Sequence, residues 1–205
     1  MSGTDRVLLS IPLSRLKFKG DRNYLHGTDI LPAALKELMA EQTRVTDIDI
    51  VFHALSKVGL TMTSSVPPGT EPNVQLSCNV DDARRKFFLI EDGRPIVERY
   101  GYPEEEIVAK TNIQLETATA TSSDVLRFTN IERWVAMVKV LHQAMYSGLN
   151  GKWLFVRGKF DRYQDTYDTV VQHQVVIKGN FDNRLTRSDL LIDGHKLGEI
   201  FFALT

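Results

Sequence analysis

The chain has 205 residues, 42% hydrophobic and 25% charged, with 25 Lys and Arg against 26 Asp and Glu for a formal net charge of -1. This composition fits one large globular domain or two small ones, and it excludes collagen-like, coiled-coil and wholly disordered classes. It also lacks the broad basic field of a general nucleic-acid binder, so no nucleic-acid partner is expected. Cys78 is the sole cysteine, which leaves neither an intrachain disulfide nor a Cys-based zinc site within one chain and points to a reducing compartment. The N-terminal apolar run is short and broken by Ser, Pro and Arg, unlike a secretory signal. No stretch approaches the roughly 18 apolar residues of a membrane helix. A cytoplasmic protein without membrane attachment is expected.

In chain order, residues 7–12 and 16–19 carry strand patterns, and the polar loop Gly20-Asp21-Arg22-Asn23 follows. Ile30, Leu31, Ala34, Leu35, Leu38 and Met39 then mark one face of a helix, with Thr28 or Asp29 as its N-cap and Pro32 in its first turn. Strand formers recur over 49–55, 59–65, 74–80 and 86–90, with Pro67-Pro68-Gly69 breaking the chain between the second and third runs. Asp92-Gly93 predicts a hairpin turn into a strand over 95–100. Residues 113–120 read as a strand. Ile131, Val135, Val138, Leu141 and Met145 then form a second helical stripe. Strands over 152–156, 170–178 and 189–192 follow, and Asp193-Gly194 turns into a last strand over 197–204, which ties the chain end into a sheet.

Moving the sequence along itself by 101 residues places Asn79, Asp81, Leu89, Asp92, Gly93 and Glu98 on Asn180, Asp182, Leu190, Asp193, Gly194 and Glu199. The same offset pairs Leu25 with Leu126, Thr28 with Thr129, Ile30 with Ile131, Phe52 with Trp153 and Gln42 with Gln143. Strands and helices fall in register, so two tandem copies related by a pseudo-two-fold axis are expected, with repeats at 1–101 and 102–205. Restricted turn chemistry at two Asp-Gly hairpins is the competing explanation.

One long helix followed by an antiparallel meander, present twice, resembles the hotdog superfamily in its tandem double-hotdog form, an α+β architecture; a cystatin-like helix-on-sheet duplication is the rival. The resemblance implies work on acyl thioesters of coenzyme A or acyl carrier protein, as a 3-hydroxyacyl dehydratase or a thioesterase. It implies no cofactor beyond the coenzyme A or phosphopantetheine of the substrate, and further pairing into a homodimer is compatible with it. The alternative is a non-catalytic acyl-binding or scaffold domain.

In the dehydratases of that superfamily a His just before the central helix faces a carboxylate from the partner unit, and His26 in Tyr24-Leu25-His26-Gly27-Thr28-Asp29 resembles it. A neutral imidazole there could take an α-proton while a carboxyl group protonates the departing hydroxyl. A capping or surface role is the plainer alternative for His26. Its counterpart at the 101-residue offset is Arg127, so at most one of two symmetric sites keeps a His. Glu132 is the carboxylate of the second helix, as an acid or as a first-turn residue favoured by the helix dipole. Asp29 resembles the water-activating carboxylate of thioesterases, or serves as an N-cap. Arg84, Arg85 and Lys86 could meet a coenzyme A phosphate or an acidic carrier, or form a solvated turn. His53, His173 and His195 are too scattered for a metal site, and His142 could face a pocket or solvent.

Overall fold

The computed structural model describes residues 10–39, 44–123, 127–163, 165 and 171–205. The chain divides into two compact units, Met1–Val45 with Ile50–Tyr100, and Thr46–Asp49 with Gly101–Thr205. No helix among the described residues is long and apolar enough to cross a membrane.

The first unit contains β1 (Ser10–Pro12), β2 (Phe18–Lys19), α1 (Gly27–Met39), β3 (Val45–Phe52), β4 (Leu60–Thr63), β5 (Val74–Val80), β6 (Ala83–Glu91) and β7 (Arg99–Tyr100), with β3 divided between the units. Its main strands lie in the order β1-β4-β6-β5-β3. Period-two alternation puts Met62, Leu89 and Val74 opposite one another in register, all fully buried. Helix α1 buries Ile30, Leu31, Ala34 and Leu35, the face that the sequence spacing marks. It begins earlier than the expected Thr28 or Asp29 cap: the His26 carbonyl accepts from the Asp29 and Ile30 amides at 2.9 and 3.1 Å. Pro32 is therefore the sixth helical residue rather than a first-turn one, and the helix forgoes one backbone bond there.

The expected hairpin at Asp92-Gly93 does not form. Asp92 accepts from the Arg94 amide at 3.0 Å and from its guanidinium at 2.6 Å, and Thr61 Oγ1 donates to it at 2.8 Å. This clamp, followed by Pro95, ends the ladder, and among the described residues of the first unit only β7 is a strand beyond it. Strands β2 and β7 pair in parallel, Phe18 with Arg99 and Lys19 with Tyr100. The β5–β6 hairpin turns instead through Asp81 and Asp82, both at positive φ of 47° and 65°.

The second unit contains α2 (Glu104–Ala109), β8 (Asn112–Gln114), β9 (Thr119–Ser122), α3 (Asn130–Met145), β10 (Trp153–Phe160), β11 (His173–Phe181), β12 (Leu185–Ile192) and β13 (His195–Leu204). The strand order is β10-β13-β12-β11-β9-β8. The single run expected over 113–120 is thus a β8–β9 hairpin, with Ala118 at φ 50° in its turn. Asp193 and Gly194 form the expected tight turn at φ 48° and 78°, with Ile192 opposite His195. Gly198 lets β13 pass close to β10, since a Cβ there would sit 2.2 Å from the Lys159 carbonyl oxygen.

Helix α3 is buried around most of its girth through Ile131, Trp134, Val135, Ala136, Met137, Val138 and Leu141, which marks it as the core element the sheet packs against. It starts with a capping box: Thr129 Oγ1 accepts from the Glu132 amide at 3.2 Å, and the Glu132 carboxylate accepts from the Thr129 amide at 2.8 Å. Thr129→Ala is expected to lower stability by about 1 kcal/mol. Urea denaturation would show this as a lower midpoint at unchanged slope, and an unchanged midpoint would mean the cap contributes nothing. Helix α2 escapes the sequence reading because it is six residues long with one buried apolar position, Ile107.

Candidate functional site

The short parallel pair β2–β7 delivers two side chains to the start of α1. Arg99 secures the turn after β2 by donating to the carbonyls of Gly20 and Arg22, the latter at 2.8 Å. Lys19 is thereby carried into the interior, fully buried. Its ammonium donates to Thr28 Oγ1 at 2.7 Å, pairs with Asp29 Oδ1 at 2.9 Å, and lies 5.6 Å from the centre of the Tyr100 ring. Tyr100 donates its hydroxyl to the same Asp29 oxygen at 2.9 Å. A buried ammonium needs this density of partners, because desolvation would otherwise exceed its attraction to one carboxylate.

His26 joins the cluster through Thr28. Its Nδ1 is 2.7 Å from Thr28 Oγ1, and its ring stacks on Tyr24 with centroids 6.5 Å apart. His26 is half-buried, Thr28 fully buried. The backbone before the helix is fixed by the Leu25 amide on the Ser56 carbonyl at 2.7 Å and by burial of Leu25. The structure therefore brings two sequence candidates, His26 and Asp29, into one network, and adds Lys19, Thr28 and Tyr100. Asp29 Oδ1 is occupied by Lys19 and Tyr100, which suits it to balancing the buried ammonium more than to activating water. Lys19 was hidden in the sequence. An apolar-charged alternation over 16–19 reads as a half-exposed strand, and Asp29, which neutralises the lysine, and Tyr100, whose ring lies beside it, are ten and eighty-one positions further on.

Glu132 belongs to the second unit, where its carboxylate also accepts from the Thr129 hydroxyl at 2.9 Å. That engagement leaves it a capping group. Arg84, Arg85 and Lys86 are exposed on β6 opposite Asn79, Cys78 and Ser77. Strand alternation divides them, with Arg84 and Lys86 on one face and Arg85 on the other. The Lys86 ammonium lies 5.2 Å from the centre of the Phe88 ring.

The second unit holds two buried histidines. His173 Nε2 is 2.8 Å from Asn130 Oδ1 and its Nδ1 is 3.5 Å from an Arg133 nitrogen. Burial, then the Arg133 charge, pushes its pKa down to about 4. His142 lies inside: its Nε2 is 2.8 Å from Thr186 Oγ1 and its ring stacks on Trp153 with centroids 4.2 Å apart. Burial lowers its pKa to about 4 as well. Arg133 is buried too, and desolvation pulls its pKa below the ordinary arginine value. Among the described residues no three His, Cys, Asp or Glu side chains gather as a metal site.

No family model matches the sequence, and no curated protein does either. Solved structures do. The dehydratase domain of PpsC from Mycobacterium tuberculosis, solved in complex with C12:1-CoA, is similar over 97% of this chain and 93% of its own, at 10% identity and a TM-score of 0.55. The tesB protein of Mycobacterium avium subsp. paratuberculosis covers 93% and 91% at 9% identity and a TM-score of 0.51. A pyran synthase domain from module nine of the sorangicin pathway covers 96% and 92% at 11% identity and a TM-score of 0.50. The chain shares the α+β hotdog fold of these structures.

Proposed function

We propose that this chain binds an acyl thioester, carried by coenzyme A or by an acyl carrier protein, and acts on its carbonyl end at His26. The observation that carries this reading is a half-buried imidazole at the start of α1, tied through Thr28 to the buried Lys19–Asp29 pair. Such a ring has its orientation set by its neighbours, which proton exchange or carbonyl polarisation requires. The resemblance to a dehydratase domain solved with an acyl-CoA supports the substrate class. Arg84 and Lys86, with Arg85 on the opposite face, supply cations for the phosphates of coenzyme A. The order within each unit, a long helix followed by antiparallel strands, together with paired left-handed residues at Asp81-Asp82 and Asp182-Asn183, supports two tandem hotdog copies meeting near residue 101.

Purified protein mixed with a panel of acyl-CoA and acyl-carrier-protein thioesters should form adducts in native mass spectrometry. The acyl group should then be released as free acid or lose water, and His26→Gln should slow either change by about a hundredfold or more while keeping the fold. Adducts that never change, in wild type and variant alike, would make the chain an acyl-binding module. A panel that yields no adduct at all would overturn the thioester reading.

A further inference from the structure

We infer that Lys19 and Thr28 hold neutral His26 with its proton on Nε2, so that the imidazole is a hydrogen-bond donor to a substrate carbonyl rather than a resting base. The inference follows from the inventory of protons at Thr28 Oγ1. An ammonium only donates, so Lys19 at 2.7 Å occupies one lone pair of that oxygen. The hydroxyl has one proton to place. Asp29 Oδ1 at 3.5 Å is beyond the length of a useful O–H···O bond and already accepts from Lys19 and Tyr100. Among the described residues, His26 Nδ1 at 2.7 Å is the remaining acceptor within reach. Thr28 therefore donates to Nδ1, and in a neutral imidazole the proton then resides on the other nitrogen. Donation from Lys19 polarises the hydroxyl and strengthens its own donation, so the two bonds reinforce one another.

Lys19 and Thr28 are thus positioning residues for His26, and the consequence for chemistry rests on the thioester reading above. An Nε2–H group suits hydrolysis. The oxygen of water adds to the thioester carbonyl carbon, and charge grows on the carbonyl oxygen, where Nε2–H stabilises it. The C–S bond then breaks, and the thiolate leaves with the proton that water gives up. His26 retains its own proton throughout. Removal of an α-proton, the first step of dehydration, would need the opposite tautomer.

The test is ¹⁵N NMR of the histidine-labelled, ligand-free full chain near neutral pH, with His26 assigned by its absence in His26→Gln. The result expected is an unprotonated Nδ1 and a protonated Nε2 in the wild type. Thr28→Val should lower the ratio of that tautomer to the other several-fold, and Thr28→Ser should restore it. Lys19→Met should raise the Nδ1–H population in the same way, and if it does not fold, the two Thr28 variants decide alone. A wild type protonated on Nδ1, or a folded Thr28→Val with the wild-type ratio, would overturn the inference. Because the spectrum needs no substrate, its outcome stands apart from that of the thioester panel. An inert panel with the expected tautomer removes the function and keeps the device, and an active panel with the opposite tautomer does the reverse.

Discussion

Lys19→Met is expected to destabilise the first unit by about 3–5 kcal/mol, the range for removing one partner of a buried ion pair. Lys19 is fully buried, and the Asp29 side chain is only 17% exposed. Loss of the ammonium removes the charge that balances this carboxylate, while Tyr100 still donates to it at 2.9 Å. The position of Asp29 in the first turn of α1 offsets part of this, since the helix dipole favours a negative charge there, by about 0.3–1 kcal/mol. Lys19→Met combined with Asp29→Asn should cost much less than the two single substitutions added together, because the double variant buries no lone charge. Urea unfolding of the four proteins measures this coupling. A single-variant cost below about 1 kcal/mol would mean that water reaches the pair and that it does not organise the start of the helix.

This pair also shows where sequence reading stops. The two long helices were legible because their apolar positions recur at helical spacing, and Asp193-Gly194 was legible because its flanking strands continue on both sides. Asp92-Gly93 carries the same dipeptide, yet Arg94 closes on Asp92 and Pro95 withdraws a backbone donor, so the chain leaves the sheet. Dipeptide chemistry set the left-handed Gly93, and residues beyond it decided whether a strand followed. At the site, His26 and Asp29 stood out as a His and a carboxylate beside a helix start. Lys19 and Tyr100 did not, since each becomes informative only once β2 and β7 lie side by side.

The two helix starts solve one problem in different ways. At the offset of 101 residues Thr28 meets Thr129, Asp29 meets Asn130, and Leu31 meets Glu132. In α3 the threonine caps its own helix with the help of Glu132. In α1 the corresponding leucine cannot close such a box, and the threonine hydroxyl is held by Lys19 and His26 instead. Next to it, the second unit has an amide facing a histidine held neutral by burial, whereas the first has a carboxylate facing an ammonium. A buried polar pair is tolerated in either form. The charged form is linked to a half-buried imidazole, and the proposal for His26 rests on that link in the first unit.

The second unit should lose stability on mild acidification. In the unfolded chain His142 and His173 bind protons near pH 6.5, and in the folded chain burial holds them off until about pH 4. Between those values the unfolded state carries more protons, so stability is complete above 6.5 and falls as pH drops towards 4. The fall from 6.5 to about 4 corresponds to about 3 kcal/mol for each imidazole. The groups around them favour this outcome. His173 faces Arg133, whose charge opposes a second cation, although a hydrogen bond to the Val171 backbone and then the Asp193 charge act in the other direction. His142 is enclosed by Trp153, Tyr146 and Phe202, with Thr186 on Nε2 and, among the described residues, no hydrogen-bond partner for Nδ1. Asp92 acts in a separate window: its carboxyl, held at about 2 chiefly by Arg94, loses its contribution only as pH falls from 3.8 towards that value. Urea midpoints followed from neutral pH to about 4 should therefore decline mostly below 6.5. His173→Gln, which retains a donor for Asn130, should remove about half of that decline. Midpoints that stay level across this interval would show that both imidazoles take up protons in place, with Arg133 or the Trp153 stack yielding to make room.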